Sequence, residues 1–302
     1  MLYYFILNGV KKPDEIRAGL EPQIAELGLE SKFYVTTGVG DGTRFVRLYC
    51  DFHDDEEVCF VACGGSGTAN EVANGIIGHK RKSMAIMPYG TTNDFIKYYP
   101  GRDFKDLRAM VEGETVQIDA IKCNDDYAIN VLNFGFDAMV AYEANMLIEE
   151  GASDPYKRAV NRSIFRYRFN NYHIEADGER ISKGFTLLCT VANARWCGGQ
   201  FLTAPEAVVD DGLMDVCLIH SMSLASFLII IPKYSMGEHL KNDYCRKRMT
   251  FRKARHFELS SRDLVRVSLD GEISASTHFV VDIVDKAVTL RLPSLPKEGV
   301  AV

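Results

Sequence analysis

Gly64-Gly65-Ser66-Gly67-Thr68 is the segment whose residue types and spacing best suit a phosphate. It stands within VCFVACGGSGTANEVANGI, where an apolar β-rich run enters the glycines and a helical pattern carrying Val72 and Ile76 on one face leaves them. Glycines let backbone N–H groups come close to phosphate oxygens, and a helix starting at the turn adds partial positive charge. Neither common phosphate fingerprint is met. No lysine follows as in a P-loop, and Asn70 stands where GxGxxG has its third glycine. Alone, the turn is equally compatible with a tight strand–helix connection that binds nothing. A second turn, within MPYGTTNDF (Met87 to Phe95), follows another strand-like run. Both turns would then lie at the carboxyl ends of parallel strands, where open α/β sheets bind ligands.

The elements that must position these turns follow from periodicity. Tyr3 to Leu7, Lys32 to Thr36, Val58 to Cys63 and Met84 to Met87 read as strands. Helical spacing of Ile16, Leu20, Ile24 and Leu27 follows Pro13, and further helices are expected over Asp41 to Tyr49 and Ala69 to Ile77. This alternation predicts a mainly parallel sheet with helices on both faces. Near residue 116 the rhythm changes to β runs separated by Asn124-Asp125, Asp177-Gly178 and Asp211-Gly212, with helical segments near 138–149, 156–169 and 223–231. That pattern predicts a mostly antiparallel, β-rich second domain. The expected division is 1–117 and 118–285.

Composition narrows the function classes. The chain has 302 residues, 47% hydrophobic and 25% charged, which suits an ordinary globular protein. A net charge of −6 argues against a dedicated nucleic-acid binder. The eight cysteines show no CxxC spacing and read as free thiols of a reducing compartment. The first residues lack the basic flank of a signal peptide, and the apolar stretch Leu224 to Ile231 is too short to span a bilayer, so a cytoplasmic protein is expected.

Ordered along the chain, GG-x-GT-x-NEV-x-NGI, then P-x-GT-x-NDF, resembles the diacylglycerol kinase catalytic-domain family, which includes bacterial lipid kinases and the sphingosine and ceramide kinases. The resemblance continues through Asn133-Phe134-Gly135-Phe136-Asp137-Ala138, then Ala204-Pro205-Glu206-Ala207 with Asp210-Asp211-Gly212-Leu213, and lastly Asp270-Gly271-Glu272. It implies an α/β nucleotide-binding domain like that of NAD kinases and phosphofructokinases. It also implies a C-terminal β-sandwich-like lipid-substrate domain, with residues 286–302 returning to the first.

The resemblance further implies an ATP- and magnesium-dependent lipid kinase, with diacylglycerol the first substrate to consider. ATP would meet Asn8, Thr36, Gly64, Gly65, Ser66, Gly67, Thr68, Ala69, Asn70 and Thr91, with Thr37 a weaker candidate beside Thr36. Glu272 would accept the proton of the lipid hydroxyl, while Asp94 and Asp119 would support the catalytic magnesium through water. A second, structural magnesium would be held by the Asp211 side chain and the carbonyls of Val208 and Leu213. On its residues alone, Asp270-Gly271 reads as a hairpin turn with Glu272 in solvent, and Asp211-Gly212 as an Asp-Gly turn.

One departure stands out. The family motif is GGDGT, and this chain has Ser66 at the aspartate position. Serine cannot supply the negative charge that helps hold magnesium. Two other readings therefore stay open: a nucleotide-binding pseudoenzyme or sensor, and a soluble-substrate kinase of the NAD-kinase type. Expected partners are a lipid substrate at the inner membrane surface, with peripheral membrane contact, and a second copy in a homodimer. Two basic clusters could meet anionic lipid: Lys157, Arg158, Arg162, Arg166 and Arg168, and Arg246, Lys247, Arg248, Arg252, Lys253 and Arg255. Solvated faces explain them equally well. The apolar stretch Leu224 to Ile231 is read as core.

Overall fold

The structure is a computed structural model that describes residues 1–90, 93–165 and 170–296. Thr91, Arg166 and Arg168 of the sequence reading lie outside the described residues, as do residues 297–302. The chain divides into two compact units, Met1–Asp119 with Lys286–Val302, and Ala120–Asp285.

In the first unit, β1 (Leu2–Leu7), β2 (Ser31–Val35), β3 (Val58–Gly64) and β4 (Lys82–Pro88) form a parallel sheet in the order β2–β1–β3–β4. Between them run α1 (Pro13–Leu27), α2 (Asp41–Phe52) and α3 (Ser66–Ile76). Every residue of β3 is buried, as expected for a central strand covered on both faces. Successive side chains alternate between those faces. Tyr3, Phe5, Cys59, Val61 and Cys63 pack against Ile16, Leu20 and Ile24 of α1 and against Leu107 and Met110. The last two lie on a short helix, α4 (Leu107–Glu112), that the sequence reading did not include. On the other face Tyr4 and Phe60 meet Tyr49 of α2, at ring-centroid distances of 5.1 Å and 5.8 Å.

β4 begins earlier than the apolar run suggested because Lys82 is buried in it. Its ammonium accounts for that by donating to the carbonyls of His53 and Asp54 at 2.8 Å and 3.0 Å, beyond the end of α2.

β5 (Glu114–Cys123) leads across the boundary into the second unit, which is antiparallel throughout. Its strands are β6 (Asp126–Ala128), β7 (Val131–Gly135), β8 (Asn170–Asn171), β9 (His173–Ala176), β10 (Glu179–Arg180), β11 (Phe185–Ala192), β12 (Met214–His220), β13 (Met249–Ala254), β14 (His256–Leu269) and the start of β15 (Glu272–Leu292). The main path runs β13–β12–β11–β7–β14–β15. A register irregularity between Ser260 and Val265 divides β14. Phe257–Ser260 pair with β9, and Val267–Leu269 pair with β7, so one strand serves two neighbours. The core is built on Phe134, Phe257, Leu259, Val267, Phe279 and Val281.

Among the described residues, four helices complete the unit: α5 (Phe136–Glu149), α6 (Pro155–Phe165), α7 (Leu224–Ser235) and the single turn α8 (Asp243–Arg246). Among the described residues, no helix is long and apolar enough to cross a membrane. All eight cysteines are free, and only Cys197 is not fully buried.

The end of β15 lies beside β4 in the first unit, with Leu290 paired to Met84. Leu290 and Leu292 are buried. Leu290→Ala should therefore cost about 2–5 kcal/mol, the usual range for a buried leucine, measured by urea unfolding.

Candidate active site

The strand order of the first unit changes direction between β1 and β3, and open α/β sheets take ligands outside the carboxyl ends of such a pair. Hydrogen bonds join the strand ends there. The Asn8 N–H donates to the Cys63 carbonyl at 3.2 Å, and Asn8 Nδ2 donates to Thr68 Oγ1 at 3.2 Å. The Gly9 N–H donates to Thr36 Oγ1 at 3.3 Å. The Tyr89 and Gly90 N–H groups both donate to the Gly64 carbonyl, at 3.1 Å and 3.0 Å.

The packing leaves no room for side chains at two glycines. A Cβ on Gly64 would lie 2.3 Å from Thr68 Oγ1, and one on Gly90 would lie 2.4 Å from Gly65 Cα. Asn8, Thr36 and Gly64–Thr68 are thus brought to one edge. α3 starts at Ser66, and its N-cap residue, Gly65, has no side chain with which to cap the first turn. Gly65, Ser66 and Gly67 are half-exposed, so the tip of the turn is the part a phosphate can reach. Thr68, Ala69 and Asn70 are buried. Asn70 is engaged inside the helix, where its backbone and side-chain oxygens accept from Asn74 Nδ2 at 2.9 Å and 3.1 Å.

Two carboxylates that carry this edge were given no role by the sequence reading. Glu71 accepts the N–H groups of Gly40 and Gly42 at 2.7 Å and 2.9 Å, fixing the start of α2 against α3. Asp41 Oδ2 accepts the Thr37 N–H at 2.8 Å, the Thr37 hydroxyl at 2.9 Å and the Tyr34 hydroxyl at 2.9 Å, and Oδ1 lies 2.6 Å from Arg44. The Thr37 amide leads these partners in holding the Asp41 pKa down at about 2. The signal for Glu71 was its place in the NEV motif. Asp41 shows no more than the Asp-Gly dipeptide of a helix start. Thr37 serves this loop, whereas Thr36 is buried and turns its hydroxyl to Gly9.

Asp94 is buried, with Oδ1 2.6 Å from Lys97 Nζ. Its neighbour Asn93 is also buried, and among the described residues neither polar atom of its side chain has a hydrogen-bond partner. Asp119 is 1% exposed, and its Oδ1 accepts the Lys286 N–H at 2.7 Å, where β15 enters the first unit. Among the described residues, no group of three His, Cys, Asp or Glu is placed to hold a metal. With Ser66 uncharged and Asp94 beside an ammonium, the side chains do not form a direct magnesium cage. A magnesium ion at this edge would take most of its ligands from phosphate oxygens and water, its common arrangement on nucleotides.

In the second unit, Asp270 and Gly271 join β14 to β15 with φ values of 50° and 103°, a left-handed pair suited to a tight hairpin. The Asp270 carboxylate accepts the N–H groups of Ile129, Asn130 and Val131 at 2.8 Å, 3.1 Å and 2.8 Å. Asn145 of α5 donates to the Gly271 carbonyl at 3.0 Å. The turn that presents Glu272 is therefore held from two sides. Glu272 is solvent-exposed as a residue, while protein atoms crowding its carboxyl raise its pKa. Its proton affinity is thus shifted in the direction a proton acceptor needs.

An open groove of about 720 Å³ lies in the same unit, lined by Phe136, Met139, Tyr142, Phe185, Leu264 and Arg262 among others. Phe136 belongs to the N-x-GFDA segment. The following Asp137 is half-buried; its carboxyl takes the Thr190 hydroxyl at 3.4 Å and is pushed up to about 7 by the protein atoms that shield it from water.

Asp211 has a partner the sequence reading did not foresee. Its Oδ1 accepts the Leu213 N–H at 3.1 Å, and its Oδ2 lies 2.8 Å from Lys253 Nζ. That ammonium is also 3.2 Å from Asp215 Oδ2, whose side chain is 1% exposed. Lys253 and Asp215 face each other across β13 and β12. Val208, Asp211 and Leu213 as arranged do not fit a structural magnesium, because a lysine already supplies the positive charge at Asp211. Burial raises the Asp215 pKa to about 6 against the opposing pull of Lys253, which leaves it ionised at neutral pH.

Residues 3–123 match the diacylglycerol kinase catalytic domain, and residues 130–292 match the YegS C-terminal NAD kinase beta sandwich-like domain. The chain belongs to this family. A diacylglycerol kinase of Staphylococcus carnosus is 29% identical over 255 residues, which is 83% of this chain and 80% of that protein. One from Staphylococcus aureus is 28% identical over the same share of this chain and 78% of its own length. Two crystal structures from Bacillus anthracis share the fold. One, described as a diacylglycerol kinase, has a TM-score of 0.69 at 19% identity, covering 96% of each chain. The other has a TM-score of 0.74 at 21% identity, covering 96% of this chain and 94% of its own. The kinase family places ATP among the chain's substrates.

Three outcomes follow from this geometry. The Asp41 carboxyl is held at about 2 in the folded chain, below its ordinary 3.8. Its contribution is therefore complete above about pH 4 and lost as pH falls through 2, so Asp41→Asn should be less stable by about 1 kcal/mol at neutral pH, converging with wild type in acid. Thermal melts across pH read this. Lys253→Met should cost about 2 kcal/mol, because it strands the buried Asp215 carboxylate while a half-exposed ammonium is lost. Adding EDTA to the wild-type protein should leave its melting temperature unchanged.

Proposed function

We propose that this chain transfers the terminal phosphate of ATP to a lipid hydroxyl, with diacylglycerol the first substrate. The groove beside α5 carries this reading. It combines apolar walls, Phe136, Met139, Phe185 and Leu264, with the charged Arg262 and Arg266, in the unit that presents Glu272. Apolar walls with a few placed polar groups suit acyl chains and a polar head. The names of the staphylococcal relatives support the same substrate class.

The chain's own groups would act as follows. The tip Gly65–Gly67, at the start of α3, holds phosphate oxygens through backbone amides and the helix dipole. Asn8 and Thr36 fix the strand ends beside it. The hydroxyl oxygen of the lipid forms the new O–P bond as the bond from phosphorus to the bridging oxygen of ADP breaks. The hydroxyl proton goes to the Glu272 carboxylate. Magnesium, when bound, would neutralise charge on the phosphoryl group. Asp270 and Asn145 act on this step only by holding the turn.

Ser66 favours a second reading, in which the nucleotide binds but turnover is slow. A carboxylate at this position would add charge for the metal at the tip of the turn.

The test is transfer of label from ATP to a panel of diacylglycerol, ceramide, sphingosine, undecaprenol and NAD. Labelled phosphatidic acid is expected. Label on NAD with every lipid inert would instead place the chain with soluble-substrate kinases. Glu272→Gln should lower kcat by about 100-fold with ATP binding unchanged. Ser66→Asp should raise kcat by about tenfold or more. ATP binding without transfer in both wild type and Ser66→Asp would identify a nucleotide-binding module instead.

A further inference from the structure

Helix α7 is apolar apart from Ser226, Lys233 and Ser235, yet protein covers only one side of it. Phe227, Ile230 and Tyr234 are buried against Phe136, Leu187, Ile219 and their neighbours. The opposite side carries Leu224, Leu228 and Ile229, which are 44%, 51% and 51% exposed, and Met236 just beyond the helix at 58%. These positions recur at helical spacing, so they form one stripe. The sequence reading of Leu224 to Ile231 as core is thus correct for one face and not for the other. A helix with two apolar faces, one of them uncovered, has a face suited to lipid or to another apolar surface. With twelve residues, α7 is too short to cross a bilayer.

The segment beside this stripe is basic. Residues 233–248 contain Lys233, Lys241, Arg246, Lys247 and Arg248 against Glu238 and Asp243, a surplus of cations in a chain whose net charge is −6. Hydrogen bonding and stacking hold that segment to α7. The Tyr244 hydroxyl donates to Ser226 Oγ at 3.1 Å. The Arg248 guanidinium lies 3.7 Å from the Tyr244 ring centroid and donates to the Tyr244 carbonyl at 3.1 Å. Arg246 and Lys247 are exposed.

We propose that the outer face of α7 docks on an anionic bilayer, Leu224, Leu228, Ile229 and Met236 entering the headgroup–acyl boundary and the cations after it lying over the headgroups. An apolar stripe beside a cationic segment is the arrangement of helices that lie in the interface plane rather than span it. The proposal deepens the lipid-kinase reading by naming the surface through which the chain reaches its substrate, and vesicle binding can be read whether or not that reading holds.

The experiment uses the full chain with phosphatidylcholine vesicles and with mixed phosphatidylcholine–phosphatidylglycerol vesicles. Wild type should sediment with the mixed vesicles and not with phosphatidylcholine alone. Leu228→Asp with Ile229→Asp should abolish binding, and Arg246→Glu with Lys247→Glu should weaken it by about 25-fold or more, at roughly fivefold per cation removed. An Ile229→Trp variant should show a blue shift of emission only with the mixed vesicles, which keeps the test decisive if the double aspartate variant does not fold. Kinase assays separate the two proposals. With short-chain, water-soluble diacylglycerol the α7 variants should match wild type, and with vesicle-borne lipid they should lose activity. The docking proposal is overturned if wild type ignores anionic vesicles, if the double aspartate variant binds like wild type, or if wild type is a dimer that this variant converts to monomer without any vesicle binding.

Discussion

The Gly90 amide and the Gly64 carbonyl lie 3.0 Å apart, and neither glycine can carry a side chain without a clash. This close approach brings the turns after β3 and β4 together. β1 joins the same edge through Asn8, and β2 joins it through the Thr36 hydroxyl. Parallel strands impose the arrangement. Their carboxyl ends all point one way, so each strand–helix turn opens on the same side. Ser66 sits at the reachable tip of this edge, so a change in its charge acts where a phosphate would be held rather than on the core.

In the second unit, buried carboxylates govern backbone geometry. Asp270 gathers three consecutive amides and so decides where Glu272 stands. Asp215 and Asp211 share Lys253, which ties the Asp211-Gly212 turn to β13. Glu71 and Asp41 do comparable work in the first unit, each accepting backbone amides at the start of α2. Hydrogen bonds to charged acceptors are the stronger kind, and a buried carboxylate without them is costly.

Much of this was legible in the chain itself. Alternation of strand and helix patterns, and its change near residue 116, follows from side-chain periodicity, which is a local property. Glycine turns and Asp-Gly hairpins are equally local, because they reflect backbone conformations that few residues adopt. The motif series from Gly64 to Glu272 therefore pointed to the correct family and fold class. It also located the glycine turn that opens α3, including the neutral Ser66 in place of an acid.

Tertiary structure decided the partners. That Lys253 answers Asp211 and Asp215 depends on β12 and β13 pairing in one register, and no local pattern encodes a cross-strand distance. That Asp270 serves the amides of Ile129 to Val131 spans about half the chain. α7 makes the same point. Its sequence is apolar around most of the helix, so periodicity could not tell which apolar face the core would take, and only packing on Phe136 and Leu187 left Leu228 and Ile229 in the open. The glycine turn was thus determined by residue type, because its chemistry lies in the backbone. The company each charged or apolar side chain keeps was determined by the fold, because that company comes from residues far away along the chain.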